Sequence, residues 1–110
     1  MELKWFGTAS IAMTEEGESL LFDPFISWHP QHSKSNLSEF SAYNNIFITH
    51  GHFDHLCDVP RIMRANVDAM VYCAEGQAEI LARDGINRNR IQVIKPGKCL
   101  NIGPFNIKVL

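Results

Sequence analysis

A short segment of this chain concentrates side chains that bind metal ions. Three of the five histidines and one aspartate lie within six positions, as His50, His52, Asp54 and His55. They follow the run Asn-Ile-Phe-Ile at residues 45–48, which predicts a buried strand. Imidazole nitrogen and carboxylate oxygen are ligands that zinc and related divalent metals prefer. Functional side chains also tend to lie on loops that a rigid strand positions. The cluster therefore predicts a metal site at a strand end.

The spacing of the four side chains is compatible with two metal ions. In an extended segment, residues two apart point to the same side, so His50 and His52 can bind one ion. If the chain then turns toward a helix, Asp54 and His55 can face a second ion. Two ions about 3.5–4 Å apart can hold a bridging hydroxide and stabilise the attacking and leaving oxygens. Asp54 then has a catalytic role, because it binds one ion and helps to orient the hydroxide.

Two other interpretations of the cluster use the same residues. The histidines could cap the following helix or face water in a polar loop, although the H-x-H-x-D-H spacing favours metal binding. A structural zinc site in an interaction module would instead have four closed protein ligands and no water. Cys57 could add a soft ligand, but a small apolar side chain packed under the loop is the favoured role.

Composition indicates a globular chain and limits its partners. The 110 residues are enough for one domain, 1–110, with 45% hydrophobic and 20% charged residues. Ten basic and twelve acidic residues give a net charge of -2 without a basic stripe, which does not favour nucleic acid. No apolar run is long enough to span a membrane, and the start lacks a signal-peptide pattern. Three cysteines without a C-x-x-C motif argue against a disulfide framework and favour the reducing cytoplasm.

The apolar pattern predicts strands first and then alternating strands and helices. Asp58 is a good N-cap residue for a helix that tolerates Pro60 in its first turn. This order predicts an α+β fold with a mixed sheet and helices on one face. The predicted strands are 2–6, 9–14, 19–23, 45–49, 69–74, 90–95, 98–102 and 105–110, and the predicted helices are 37–43, 59–66 and 75–84.

Residues 49–55, Thr-His-Gly-His-Phe-Asp-His, resemble the metal-binding motif of the metallo-β-lactamase superfamily. In that family the first two histidines bind one metal, and the aspartate and the last histidine bind the other. Residues 5–10 and 21–25, Trp-Phe-Gly-Thr-Ala-Ser and Leu-Phe-Asp-Pro-Phe, resemble the opening of the branch that contains ascorbate-6-phosphate lactonase. The resemblance implies a hydrolase with two zinc ions, or manganese or iron, whose metal-bound hydroxide attacks an ester, lactone or phosphodiester. The implied substrate is a small anionic or ester molecule.

The resemblance covers the chain only as the N-terminal half of an αββα sandwich of about twice this length. A third histidine, a bridging aspartate and a last histidine would come from the other half. Two outcomes follow from this: an active metal-dependent hydrolase, or a truncated metal-binding half-domain without catalytic activity.

Asp23 is a candidate for fixing a ligand histidine. Metal-bound imidazoles usually donate their second N–H to a carboxylate, and the strand ending at Asp23 is expected beside the strand that leads to His50. The alternative role is a turn cap before Pro24. His29 and His32 lie in the next loop, where exposed side chains are favoured over substrate contacts.

Half a sandwich should leave one sheet face apolar and uncovered. Monomers seldom expose an apolar patch beyond a few hundred Å². We therefore expect a two-fold homodimer that rebuilds the sandwich, or association with a separate C-terminal half. The candidates for this face, or their neighbours one position over, are Ile46, Ile48, Met70, Tyr72 and Val93.

Overall fold

A six-stranded sheet forms the centre of the computed structural model, which describes residues 1–7, 10–24, 39–49 and 58–110. A separate two-stranded sheet is formed by the last two strands. The fold is α+β, as predicted. The strands are β1 (Glu2–Gly7), β2 (Ser10–Glu15), β3 (Glu18–Phe22), β4 (Asn45–Phe47), β5 (Met70–Cys73), β6 (Ile91–Val93), β7 (Cys99–Ile102) and β8 (Phe105–Lys108), the helices are α1 (Val59–Ala65) and α2 (Glu75–Arg83), and a 3₁₀ helix spans Arg88–Arg90.

The order of strands in the large sheet follows the order in the chain, from β1 to β6. Strands β1 to β3 are antiparallel. Between β2 and β3, Glu16 and Gly17 both have positive φ, at 52° and 81°, as the tightest hairpin turns require. Strands β3 to β6 are parallel, and α1 and α2 are the crossovers from β4 to β5 and from β5 to β6. The carboxyl ends of β3 to β6 therefore lie along one edge of the sheet.

Helices α1 and α2 pack on one face of the large sheet. Alternate residues of the central strands point to this face, because side chains alternate along a strand. The resulting core is fully or almost fully buried. Its members include Ala12, Leu21, Ile46, Val71 and Cys73 from the strands, Ile48 directly after β4, and Val59, Ile62, Met63, Ala78 and Leu81 from the helices.

The opposite face is partly covered by the β7–β8 hairpin. Phe105 of the hairpin is buried against Leu20, Phe47 and Tyr72 of the sheet. The ring of Phe47 stacks on that of Tyr72 with a centroid distance of 4.5 Å. The prediction of an uncovered face is therefore wrong at this position, because the last two strands of the chain fold over it. The candidates also divide between faces: Ile46, Ile48 and Val93 contact the helix side, whereas Met70 and Tyr72 contact the hairpin side.

Most predicted elements lie within two residues of the observed ones. Of the helix predicted at 37–43, residues 39–40 are helical, and residues 37–38 lie outside the described part of the chain. Asp58 occupies the N-cap position of α1, but within the described residues its side chain forms no capping hydrogen bond. The predicted N-cap position is therefore confirmed, but the capping hydrogen bond is not formed, because the backbone of Asp58 has helical angles (φ -97°, ψ -11°) and not the extended angles typical of a capping residue. No helix of the described residues is long and apolar enough to cross a membrane.

Replacing Gly103 by alanine should destabilise the fold by about 1–2 kcal/mol, because the residue has a left-handed φ of 52°. An added Cβ would also lie 2.3 Å from Cγ of Glu18, at the start of β3. Chemical denaturation followed by circular dichroism measures this loss. Gly76→Ala is the matched control: it lies in α2, its Cβ would meet nothing within 4 Å, and it should not destabilise. Equal stability of Gly103→Ala and the original chain would contradict the prediction.

Candidate metal centre

Asp23 lies at the carboxyl end of β3 in a backbone conformation that turns the chain sharply. Its φ is 49°, in the left-handed region that aspartate tolerates better than most residues. Its backbone N–H donates to the carbonyl of Phe47 at 2.9 Å, and its own carbonyl accepts from the hydroxyl of Ser10. The residue is 4% exposed. Asp23 is therefore fixed between β2 and β4, and its side chain is directed into the protein.

Both carboxylate oxygens of Asp23 bind Thr49. Oδ1 accepts the backbone N–H of Thr49 at 2.8 Å, and Oδ2 accepts the Thr49 hydroxyl at 2.6 Å. Hydrogen bonds to a carboxylate are among the stronger ones in proteins. These two bonds join positions 26 residues apart in the chain. A side chain that only capped the turn at Pro24 would bond to residues of that turn instead. Residues 50–55 are called the histidine segment below. Because Thr49 directly precedes His50, the Asp23 carboxylate fixes the point at which this segment begins.

The four predicted ligands, His50, His52, Asp54 and His55, lie outside the described residues. Cys57, His29 and His32 also lie outside them. The hydrogen bond predicted from a ligand imidazole to Asp23 therefore remains a prediction. The structure does bring Asp23 to the residue that precedes His50, as the neighbouring strand ends required.

The chain enters α1 through a second buried carboxylate, Asp58. It has no exposed surface, and its Oδ1 lies 3.7 Å from Nη1 of Arg61. Val59 and Ile62 anchor the first turns of α1 in the core between the helices and the large sheet, which is called the helix-side core below. The histidine segment thus has a fixed carboxylate on either side, Asp23 before it and Asp58 after it. In the sequence, Asp58 is a carboxylate three positions after His55. The sequence pattern predicted only the role of a helix cap for it and did not predict its burial.

An apolar groove lies at the same edge of the sheet. Its volume is about 400 Å³, and Thr49 is part of its lining. The carboxyl ends of β3, β4 and β6 contribute one wall, and β8 contributes the other. Its lining includes Phe22, Phe47, Ile94, Ile107 and Lys108. The groove could hold the apolar part of a small molecule next to Thr49.

Three other side chains of the described residues, Arg64, Arg90 and Cys73, have structural roles. Arg64 donates to the carbonyl of Asp84 at 2.8 Å, and Arg90 donates to the carbonyls of Asn66 and Ala69. Burial raises the pKa of the Cys73 thiol to about 11, so it stays protonated in the helix-side core at neutral pH. Within residues 1–7, 10–24, 39–49 and 58–110, no three His, Cys, Asp or Glu side chains are grouped to hold a metal ion.

The donor chemistry of the four predicted ligands fits a metal ion. Three imidazoles and a carboxylate are suitable ligands for zinc, manganese or iron. The backbone of Thr49, immediately before them, is fixed by a buried carboxylate. Carboxylates are among the groups that orient ligand imidazoles in metal sites.

Sequence comparison finds relatives over nearly the whole chain. The family described as the β-lactamase superfamily domain matches residues 18–110. A UPF0173 metal-dependent hydrolase from Carboxydothermus hydrogenoformans is 30% identical over 109 residues, which are 99% of this chain and 46% of the relative. Another from Methanobrevibacter smithii is 33% identical over 94 residues, 84% of this chain and 38% of the relative. The chain thus spans about half or less of the length of these relatives.

Solved structures share the fold at low sequence identity. The metallo-β-lactamase SMB-1, in complex with mercaptoacetic acid, matches with a TM-score of 0.69 and 17% identity, over 90% of this chain and 44% of that one. A mutant flavo di-iron protein from Thermotoga maritima matches with a TM-score of 0.74 and 19% identity, over 92% of this chain and 26% of that one. These likenesses establish the fold of the described sheet and helices.

Proposed function

This chain belongs to the β-lactamase superfamily, and we propose that it forms the N-terminal part of a metal-dependent hydrolase site. In this proposal His50 and His52 bind one metal ion, and Asp54 and His55 bind a second. The observation that carries the proposal is the contact between Asp23 and Thr49. A buried carboxylate fixes the residue directly before the histidine segment, at the sheet edge where the groove opens.

The residues of the chain have separate roles in the proposed reaction. When bound, the metal ions supply an activated water and polarise the bond that it attacks. The chain holds the ions through four side chains, of which Asp54 also orients the water. Asp23 holds Thr49, the residue before His50, beside the end of β3. In the proposed site the Asp23 carboxylate also accepts the second N–H of a ligand imidazole, which would fix the tautomer of that histidine.

The lining of the groove supports a small organic substrate. Its walls are mainly apolar, from Phe22, Phe47, Ile94 and Ile107, and Lys108 is the basic residue of the lining. An ester or lactone with an apolar body and an anionic group matches this lining, and a phosphodiester with an apolar substituent is the other candidate. Zinc is the metal we favour, and manganese and iron accept the same ligands.

The second candidate is a metal-binding half-domain without catalysis. The observation in its favour is coverage, because the chain spans 46% of the Carboxydothermus relative. Ligands contributed by the remaining part of such a relative would be missing from the chain alone. Metal uptake without turnover is the property that separates this candidate from the hydrolase.

The 110-residue chain alone should be a weak hydrolase or none, since misplacement of reacting groups by about 1 Å can cost 100-fold in rate. The assay uses aryl esters, lactones and bis(p-nitrophenyl) phosphate with zinc, manganese or iron. Weak turnover that a chelator abolishes and metal restores would support the hydrolase. Metal uptake without any turnover would support the half-domain.

The same assay has a control and a contradicting result. The double variant His52→Ala/Asp54→Ala should show no metal-stimulated rate. Turnover that needs no metal and persists in this variant would contradict the proposed function. Rapid turnover by a monomeric preparation would contradict the expectation that the site is incomplete.

A further inference from the structure

The first strand presents an unusual edge. β1 stands at the end of the strand order, so one of its sides has no neighbouring strand in the described part of the chain. Three large apolar residues alternate at its start: Met1, just before the strand, is 73% exposed, and Leu3 and Trp5 of the strand are 67% and 69% exposed. Glu2 and Lys4 alternate with them and are also exposed. An exposed edge strand with apolar side chains is a site where another strand can pair.

The exposed apolar residues continue the hairpin-side core, which is the cluster of Leu20, Phe47, Tyr72 and Phe105. Leu3 is opposite Met13 in the sheet, and Met13 is opposite Leu20. Leu20 is buried in that core, and Met13 packs partly buried against it. Trp5 is likewise opposite Ile11, which is opposite Phe22. The apolar rows therefore extend from the covered centre of the sheet to its open edge, where they end in exposed Leu3 and Trp5.

The sequence of this edge is complementary to itself in antiparallel pairing. With a two-fold axis at Leu3, the residues Met-Glu-Leu-Lys-Trp place Leu3 opposite its own copy. Glu2 then lies opposite Lys4 of the second copy, and Met1 lies opposite Trp5 of the second copy. Opposite charges and apolar pairs directly across two strands stabilise a sheet, whereas like charges destabilise it. The axis produces two Glu–Lys pairs and an uninterrupted apolar row.

The ion pair of Lys4 within the chain is compatible with this arrangement. Lys4 pairs with Glu39 on the helix side of the sheet, and 49% of its side chain remains exposed. Its neighbour across β2 is Ala12, a member of the helix-side core. The charged residues of β1 therefore share one face, and the apolar residues share the other. Both sets are exposed to solvent in the described structure.

We propose that β1 is a homodimer interface, in which two copies pair through this strand and their large sheets become one continuous sheet. The occupant is a second copy of the chain, because its own β1 supplies the charge order that matches. This dimer differs from one that rebuilds a sandwich face to face. It depends on neither the metal nor the hydrolase activity.

Reversal of one charge tests the interface. Glu2→Lys places two lysines on each β1, and sedimentation at micromolar concentration should show at least about a tenfold weaker dimer. Lys4→Glu places two glutamates there and should have the same effect. The double variant Glu2→Lys/Lys4→Glu restores both pairs and should dimerise like the original chain. Glu79→Lys, on the exposed side of α2, is the charge-matched control and should leave the dimer unchanged.

A mixture of the two single variants gives the sharpest readout. Equimolar Glu2→Lys and Lys4→Glu chains should form a mixed dimer, because one strand then carries two lysines and the other two glutamates. Circular dichroism confirms that each variant is folded. A monomeric original chain at these concentrations would overturn the proposal. A dimer that both single reversals leave unchanged would also overturn it and would indicate another surface, such as the groove.

Discussion

Replacement of Asp23 by alanine should lower metal affinity by about 10–100-fold, the usual cost of removing a carboxylate that orients metal ligands. The variant should also lose about 2–3 kcal/mol of stability, because two hydrogen bonds to a buried charged group are removed. Both effects share one origin, and alanine is also less suited than aspartate to the left-handed φ of 49°. Without the carboxylate, the backbone and hydroxyl of Thr49 lose the acceptors that fix them before His50. Isothermal titration with zinc and chemical denaturation measure the two quantities.

Two variants separate the parts of this effect. Thr49→Val removes the hydroxyl donor and keeps the backbone hydrogen bond to Oδ1, so its loss of metal affinity should be smaller. Asp23→Asn tolerates the left-handed backbone and can still accept the Thr49 N–H, and it should fall between the other two. Unchanged zinc affinity in Asp23→Ala, despite lower stability, would show that Asp23 serves only the fold.

The double variant His52→Ala/Asp54→Ala should lose stoichiometric metal uptake altogether. Each substitution removes a ligand of a different ion, so neither ion keeps its pair of ligands from the segment. Metal analysis of protein purified without chelator and then dialysed against zinc measures the stoichiometry.

The matched control for this variant is His29→Ala/His32→Ala. It removes the two histidines that lie outside the segment and should bind metal as the original chain does. Full uptake by His52→Ala/Asp54→Ala would contradict the assignment of the ligands. Loss of uptake in the control variant would extend the site to the loop after Pro24.

The secondary structure was largely predictable because local signals agreed with one another. Apolar alternation predicted the strands, and Gly17 and Gly103 mark turns where the backbone adopts positive φ. The boundaries shift by one or two residues because strand ends depend on partners. The strand predicted at 45–49 ends at Phe47, although the Ile48 N–H still donates to the carbonyl of Tyr72.

The covering of the two sheet faces was not predictable from the pattern. Ile46 and Phe47 are adjacent and both buried, one on the helix side and one on the hairpin side. When both faces of a parallel strand are apolar, period alone does not indicate which layer covers which face. The hairpin that covers Phe47 comes from the end of the chain, and its position depends on long-range contacts of Phe105.

The site was predictable in position but not in its contacts. Strands β3 and β4 are parallel with Phe22 opposite Phe47, so the residues after them meet at one edge. This register explains why Asp23 lies beside the segment that follows Thr49. The contact between Asp23 and Thr49 was not predicted. A threonine before a histidine carries no signal of its own in the sequence, and only the register of β3 and β4 brings it to Asp23. The burial of Asp58 was missed because an aspartate before Val59-Pro60 has the pattern of a helix cap.

X-ray absorption at the zinc edge of the zinc-loaded chain tests the central claim most directly. The assignment of His50, His52, Asp54 and His55 predicts a first shell of nitrogen and oxygen at about 2.0–2.2 Å, with the multiple scattering of imidazole. The imidazole signal should disappear in His52→Ala/Asp54→Ala. A sulfur shell at about 2.3 Å would mean that cysteine binds the metal. That result, or a spectrum that the double variant leaves unchanged, would contradict the assignment.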